Sequence, residues 1–260
     1  MKEETIVWTI KPLSVATLTL TRVAAISKVA IAADPGEILK VPDVAWLLTE
    51  EETGKRILVD TGPSEDPARD SRFHSPVEKT SEQQLDYALR KEGVEPESID
   101  TVILTHLHWD HGYGVYKLPN AKVYVQRDEL QYAVAPFTVH RGAYELNDTS
   151  KPPYFFKYFH QLKVVDGDTN FCDGIDLIKL PGHSPGSQGI LVQTRKGRFL
   201  ITGDLYYDMD NYEQDLPTGV YTSLYDYYAS YAKVKNLGAD VTLLCGHDDN
   251  AFNLLKVFDD

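Results

Sequence analysis

Strands alternating with helices along the chain predict an α/β fold of stacked layers. Three observations carry this expectation. Short β-rich runs bounded by turn residues dominate the N-terminal part, helical periodicity recurs between later strands, and two hairpins with the same ending read as two halves that face each other. The 260 residues, 42% hydrophobic and 11% aromatic, are enough for a packed core and make one large domain or two small ones; no run reads as a flexible interdomain linker, and the chain is read as a single domain over 1–260.

Taken in order, strands are expected over residues 5–10, 15–20, 44–48 and 56–59, with a hairpin turn at 51–54 between the last two. Ser81 and Gln84 have capping-box spacing, Leu85, Ala88 and Leu89 make one apolar helical stripe, and Gly93 ends it. A helix over 127–135 is stopped by Pro136. A second hairpin pairs 189–194 with 198–202 around Lys196-Gly197. It resembles the first, because the run from Gly54 ends in Asp60 and the run from Gly197 ends in Asp204. Between 222 and 237, Leu224, Tyr227, Tyr228, Tyr231 and Val234 recur at helical spacing, which for a tyrosine stripe means core packing, and 240–244 is a final strand. Residues 61–80 and 137–161 fit no element, and loops that long beside chemical motifs are expected to be lids or binding loops.

A net charge of −13 repels phosphate backbones and acidic membranes, and no Lys/Arg run offsets it, so neither nucleic acid nor membrane is expected as a partner. Two cysteines, Cys172 and Cys245, imply no disulfide framework and fit a reducing cytoplasm. The start, Met1-Lys2-Glu3-Glu4, lacks the pattern of a signal peptide, and no stretch approaches the roughly 18–20 apolar residues of a membrane span.

Residues 101–112, TVILTHLHWDHG, carry the strongest signal. A β-run ends, and His106, His108, Asp110 and His111 follow within six residues. Imidazoles and a carboxylate suit Zn²⁺ without any thiolate. A lone histidine is ordinarily a hydrogen-bonded structural residue, but four donors on one turn crowd one another unless a cation shares them. Leu180-Pro-Gly-His183, Thr202-Gly-Asp204 and Cys245-Gly-His247 each place a metal-competent side chain just past an apolar run, behind a glycine. Singly, Asp204 reads equally as a helix cap and His183 as a residue bonding a turn. Together they gather with the first motif at one edge of the layers.

These motifs resemble the metallo-β-lactamase superfamily, whose His-x-His-x-Asp-His is matched at 106–111 and whose later ligands are matched at His183, Asp204 and His247. The resemblance spans nearly the whole chain. It implies an αββα sandwich and two Zn²⁺ per chain: one held by His106, His108 and His183, a second by Asp110, His111 and His247, with Asp204 bridging. A histidine at 108, where the di-iron flavoprotein branch has an acid, points towards zinc. Within the superfamily the chain is similar to the N-acyl homoserine lactone lactonases. The likeness lies in the first motif, residues 181–188 (PGHSPGSQ), Asp204-Leu-Tyr-Tyr207 and Gly-His-Asp at 246–248. Ser187 departs from the histidine common there and touches no expected ligand.

The resemblance implies a zinc-dependent hydrolase that opens a lactone ring by a metal-bridging hydroxide, with quorum-quenching hydrolysis of N-acyl homoserine lactones foremost. Tyr207 takes the place of the tyrosine that contacts the substrate carbonyl, and Asp110 hands a proton to the ring alkoxide. The alternative for Tyr207 is packing with Tyr206, Tyr212 and Tyr221, and Trp109 is either an apolar wall for an acyl chain or packing. His74, His140 and His160 are read as surface or loop residues, the alternative being that one of them lines the pocket from the long loops, and Cys245 as packing at a strand end. The alternatives are another small-lactone hydrolase resembling 4-pyridoxolactonase, or a thioester hydrolase resembling glyoxalase II, against which the short stretch after His247 counts. Charge disfavours a phosphodiesterase, and the complete ligand set disfavours a non-catalytic binding protein. The expected partner is a small lactone, the expected state a monomer or homodimer.

Overall fold

Period-two alternation builds two sheets that share one core. The computed structural model describes residues 6–26, 34, 36–148 and 150–256. One sheet contains β1 (Trp8–Thr21), β2 (Ile38–Glu50), β3 (Arg56–Val59), β4 (Val77–Glu78), β5 (Thr101–Ile103), β6 (Lys122–Gln126) and β7 (Leu162–Val165), in the order β4-β1-β2-β3-β5-β6-β7. The other contains β8 (Thr169–Cys172), β9 (Ile175–Lys179), β10 (Gln188–Thr194), β11 (Gly197–Ile201) and β12 (Val241–Leu244), in the order β12-β11-β10-β9-β8. The α-helices are α1 (Arg22–Ala25), α2 (Pro67–Phe73), α3 (Leu85–Lys91), α4 (Trp109–Gly112), α5 (Arg127–Val134), α6 (Met209–Gln214), α7 (Leu224–Lys235) and α8 (Asn250–Leu255).

Alternate residues of one strand enter different cores. Ile57 and Val59 join Trp46, Leu48 and Ile103 against Ile190, Val192 and Ile201 of the second sheet, while Leu58 points the other way, to Leu85 and Leu89 of α3. On the far side of the second sheet Leu191 and Leu200 pack against Tyr227, Tyr231 and Val234 of α7. The layers therefore run helix, sheet, sheet, helix, the αββα sandwich that the resemblance implies. Each fully buried aliphatic or aromatic side chain contributes about 1.5–3 kcal/mol.

The two halves repeat a pairing pattern. β1–β2 and β2–β3 are antiparallel and β3–β5 parallel, and β9–β10 and β10–β11 are antiparallel and β11–β12 parallel. The strands β3, β5, β9, β11 and β12 thus end at one edge.

Several elements differ from expectation. The two strands expected over 5–10 and 15–20 are one 14-residue strand with a register shift between Ser14 and Ala16, because the bulge absorbs the interruption; Thr5 lies outside the described residues. The capping box is formed by Thr80 and Gln83, one residue earlier than expected, because a 3₁₀ turn over Ser81–Gln83 precedes α3. In α7, Tyr227, Tyr231 and Val234 are buried, but Leu224 and Tyr228 face solvent. The segment 61–80 holds α2 and β4, and 137–161 holds 3₁₀ turns at Thr138–His140 and Tyr154–Gln161. No helix among the described residues is long and apolar enough to cross a membrane.

Candidate metal centre

Strand ends deliver the donors. His106 and His108 follow β5, and Asp110 and His111 sit in α4 directly behind them. His183 lies beyond β9, Asp204 in a 3₁₀ turn over Gly203–Leu205 beyond β11, and His247 beyond β12. Gly203 takes φ +51°, and an added Cβ would come within 2.7 Å of the Thr105 Cβ, so the turn that presents Asp204 needs glycine.

The structure gathers all seven expected ligands into two groups, His106, His108, His183 and Asp204 in one and Asp110, His111 and His247 in the other, with donor atoms within 4.8 Å of each other in each group. Asp204 stands between them. Its Oδ2 lies 3.2 Å from His183 Nε2 and 3.8 Å from His106 Nε2, and its Oδ1 lies 3.1 Å from His111 Nε2 and 3.3 Å from His247 Nε2. His108 differs in presenting Nδ1, 2.9 Å from His183 Nε2.

Each of the other imidazoles is aimed by a bond on its far nitrogen. Nδ1 of His106 contacts Thr105 Oγ1 at 3.0 Å, that of His111 contacts Asp60 Oδ2 at 2.8 Å, that of His183 the Val220 carbonyl at 2.8 Å, and that of His247 the Pro42 carbonyl at 2.9 Å. These contacts turn Nε2 inward, the usual arrangement around a bound metal. Burial holds His106, His108 and His183 below the ordinary histidine pKa, hence neutral and able to ligate. Burial, the largest single influence, also pulls His111 and His247 down, but the carboxylates around them together outweigh it, Asp204 first, with Asp60 and Asp110 at His111 and Asp43 at His247, placing His111 well above the ordinary value and His247 at about 9. Asp204 thus draws positive charge towards itself.

The donor set fits metal ions. His106 Nε2, His111 Nε2 and Asp204 Oδ1 are buried without a hydrogen-bond partner, an arrangement that costs free energy unless a cation uses these atoms.

Other residues surround this centre. Tyr207 is buried, its ring 4.8 Å from that of His247 and 6.0 Å from that of His183, and burial with the Asp204 charge holds its hydroxyl protonated. Trp109 stacks on His74 with ring centroids 3.9 Å apart. His74 is not a surface residue: its side chain is 6% exposed and bonds Glu145, which also pairs with Arg69. The segments 61–80 and 137–161 meet here and line a cavity of about 640 Å³ with Arg69, Phe73, His74, Glu145 and Tyr154. His140 is half-buried and bonded to Tyr132, His160 is exposed, and Cys245 packs at the end of β12. Sequence reasoning assigned no role to Asp60, Thr105, Glu129 or Tyr144. Only Asp60 carried a signal, its echo of Asp204.

Buried imidazoles and carboxylates paired across one edge of a two-sheet sandwich define a protein built around a dimetal-type His/Asp centre. The family model described as the metallo-beta-lactamase superfamily matches residues 41–247. An N-acyl homoserine lactonase of Bacillus thuringiensis is 31% identical over 200 residues, 74% of each chain. The N-acyl homoserine lactonase AttM of Rhizobium radiobacter is 28% identical over 232 residues, 85% of this chain and 87% of its own. A solved N-acyl homoserine lactone hydrolase with N-hexanoyl-L-homoserine at its catalytic metal centre superposes with a TM-score of 0.80, 25% identity and 99% of both chains covered. The chain belongs to the metallo-beta-lactamase superfamily, and its homologues are N-acyl homoserine lactonases.

Proposed function

We propose that this protein is a single-domain, dizinc hydrolase that opens N-acyl homoserine lactones, a quorum-quenching activity in the cytoplasm, where free Cys172 and Cys245 suit a reducing medium. The observation that carries the reading is the division of Asp204, one oxygen towards each ligand group. Zinc suits a set of imidazoles and carboxylates. His106, His108 and His183 would hold one ion and Asp110, His111 and His247 the other, with Asp204 shared. Two ions so held would supply a nucleophilic water at neutral pH and polarisation of an ester carbonyl.

The chain supplies the rest. Tyr207 keeps its proton and donates to the oxyanion that develops on the lactone carbonyl. Asp110 would take up the proton that the added water oxygen loses and pass it to the ring oxygen as the acyl C–O bond breaks, so that the opened product carries an alcohol and a carboxylate. Trp109, fixed by its stack on His74, offers an apolar face to the acyl chain.

A hydrolysis screen tests this: acyl homoserine lactones, other γ- and δ-lactones, a glutathione thioester and a phosphodiester, with metal analysis of the same protein. Close to two zinc ions per chain and fastest turnover of the acyl homoserine lactones are expected. Faster turnover of the thioester or phosphodiester overturns the substrate assignment, and full activity with one ion overturns the bridging role of Asp204.

A further inference from the structure

Outside the ligand set, one fully buried carboxylate joins the loops that carry the first group. Glu129, in the first turn of α5, accepts four hydrogen bonds. Its Oε1 takes the Leu107 N–H at 2.9 Å and the Tyr144 hydroxyl at 3.0 Å; its Oε2 takes the Ser184 hydroxyl and the Gly186 N–H at 3.1 Å. Leu107 lies between His106 and His108, and Ser184 follows His183. The ring of Tyr144 meets the edge of His108 at 4.9 Å. Gly186 is packed so closely that an added Cβ would lie 2.2 Å from the Glu129 backbone nitrogen, so the His183 loop is seated directly on this helix turn. The four donors satisfy the carboxylate without a cation.

We propose that Glu129 is a positioning residue for the first metal group: one oxygen fixes the loop of His106 and His108, the other fixes the loop of His183, and the spacing between those loops is set by the width of the carboxylate. The second group does not depend on it, because His247 is aimed by the Pro42 carbonyl and His111 by Asp60. This rests on the metal-centre reading above, which the unsubstituted protein tests separately by binding two ions or failing to.

Glu129→Gln supplies the test. The amide has one acceptor oxygen, so either Leu107 N–H or Gly186 N–H loses its partner. Zinc titration of the metal-free protein, followed by calorimetry, should show one ion bound as in the parent and the other weakened by about 10–100-fold, the range for losing a group that orients ligands. His247→Ala leaves the first group intact and His183→Ala leaves the second group intact, so the Glu129→Gln weakening should appear in the former background and vanish in the latter. Equal weakening in both backgrounds, or none in His247→Ala, overturns the proposal. Should Glu129→Gln fail to fold, Tyr144→Phe and Ser184→Ala each remove one of the four bonds and should give the same selectivity with a smaller factor; unchanged affinities in both overturn it.

Discussion

The β2–β3 and β10–β11 hairpins end alike and use their aspartates oppositely. Asp60 is the first residue past β3, and its carboxylate is taken up by the Thr105 N–H, the Thr105 hydroxyl and His111 Nδ1, each at 2.8 Å. Asp204 comes three residues past β11, behind Gly203, and faces Nε2 of His106, His111, His183 and His247. The two carboxylates therefore lie on opposite nitrogens of His111. One supports the centre from outside and the other occupies its middle. A shift of two residues at a strand end is enough to separate these roles, since it decides whether the side chain stays against its own sheet or crosses to the ligands of both.

The largest effect is expected where the inner carboxylate is removed. Asp204→Asn should leave at most one zinc ion per chain by elemental analysis and lower lactone turnover by more than the roughly 10²–10⁴-fold typical of losing an acid–base group. Two ions retained would mean that the inner position is not shared.

Asp110→Asn comes next, with a loss of about 10²–10⁴-fold in kcat for an alkyl lactone and most of the metal kept. On an aryl ester or thioester, whose leaving group needs little protonation, the deficit should shrink. A deficit that is the same for every leaving group would confine Asp110 to holding metal.

Asp60→Asn tests the outer carboxylate. Because Asp60 aims His111 directly and His106 through Thr105, both ions should be weakened, by about 10–100-fold each, in a calorimetric titration. This contrasts with the one-ion effect expected at Glu129, and an effect as large as that of Asp204→Asn would erase the distinction between the two hairpins.

The smallest change is expected from Tyr207→Phe, which removes a single donor from the oxyanion and should lower kcat about tenfold, near the upper worth of one hydrogen bond. Unlike the Asp110 deficit, it should persist across leaving groups. Steady-state rates on the same two substrates decide between them.

An α/β arrangement of layers and all seven metal-competent side chains were legible in the chain because both depend on local pattern, while the αββα order came from the family resemblance. Period-two runs such as Ile57-Leu58-Val59 declare which faces they bury, and a strand that ends in His or Asp behind a glycine declares a donor at its edge. The hairpin echo was legible too, yet it did not tell the outer aspartate from the inner one. Other features left no such mark. Glu129 reads as an ordinary acid in the first turn of a helix, and His74 as a loop residue.

What the sequence determined by itself is the inventory: which residues can bind metal, and that they follow strands sharing one direction. Tertiary structure alone decided which nitrogen each imidazole turns inward, that Asp204 divides its oxygens between two groups, and that Glu129 and His74 are enclosed rather than exposed. The reason is separation along the chain. Asp60 meets His111 across 51 residues, Glu129 meets Gly186 across 57, and His247 meets Pro42 across 205. Such partners are set by how the two sheets stack and which loops the stacking brings together, and no periodicity within a single segment encodes that contact.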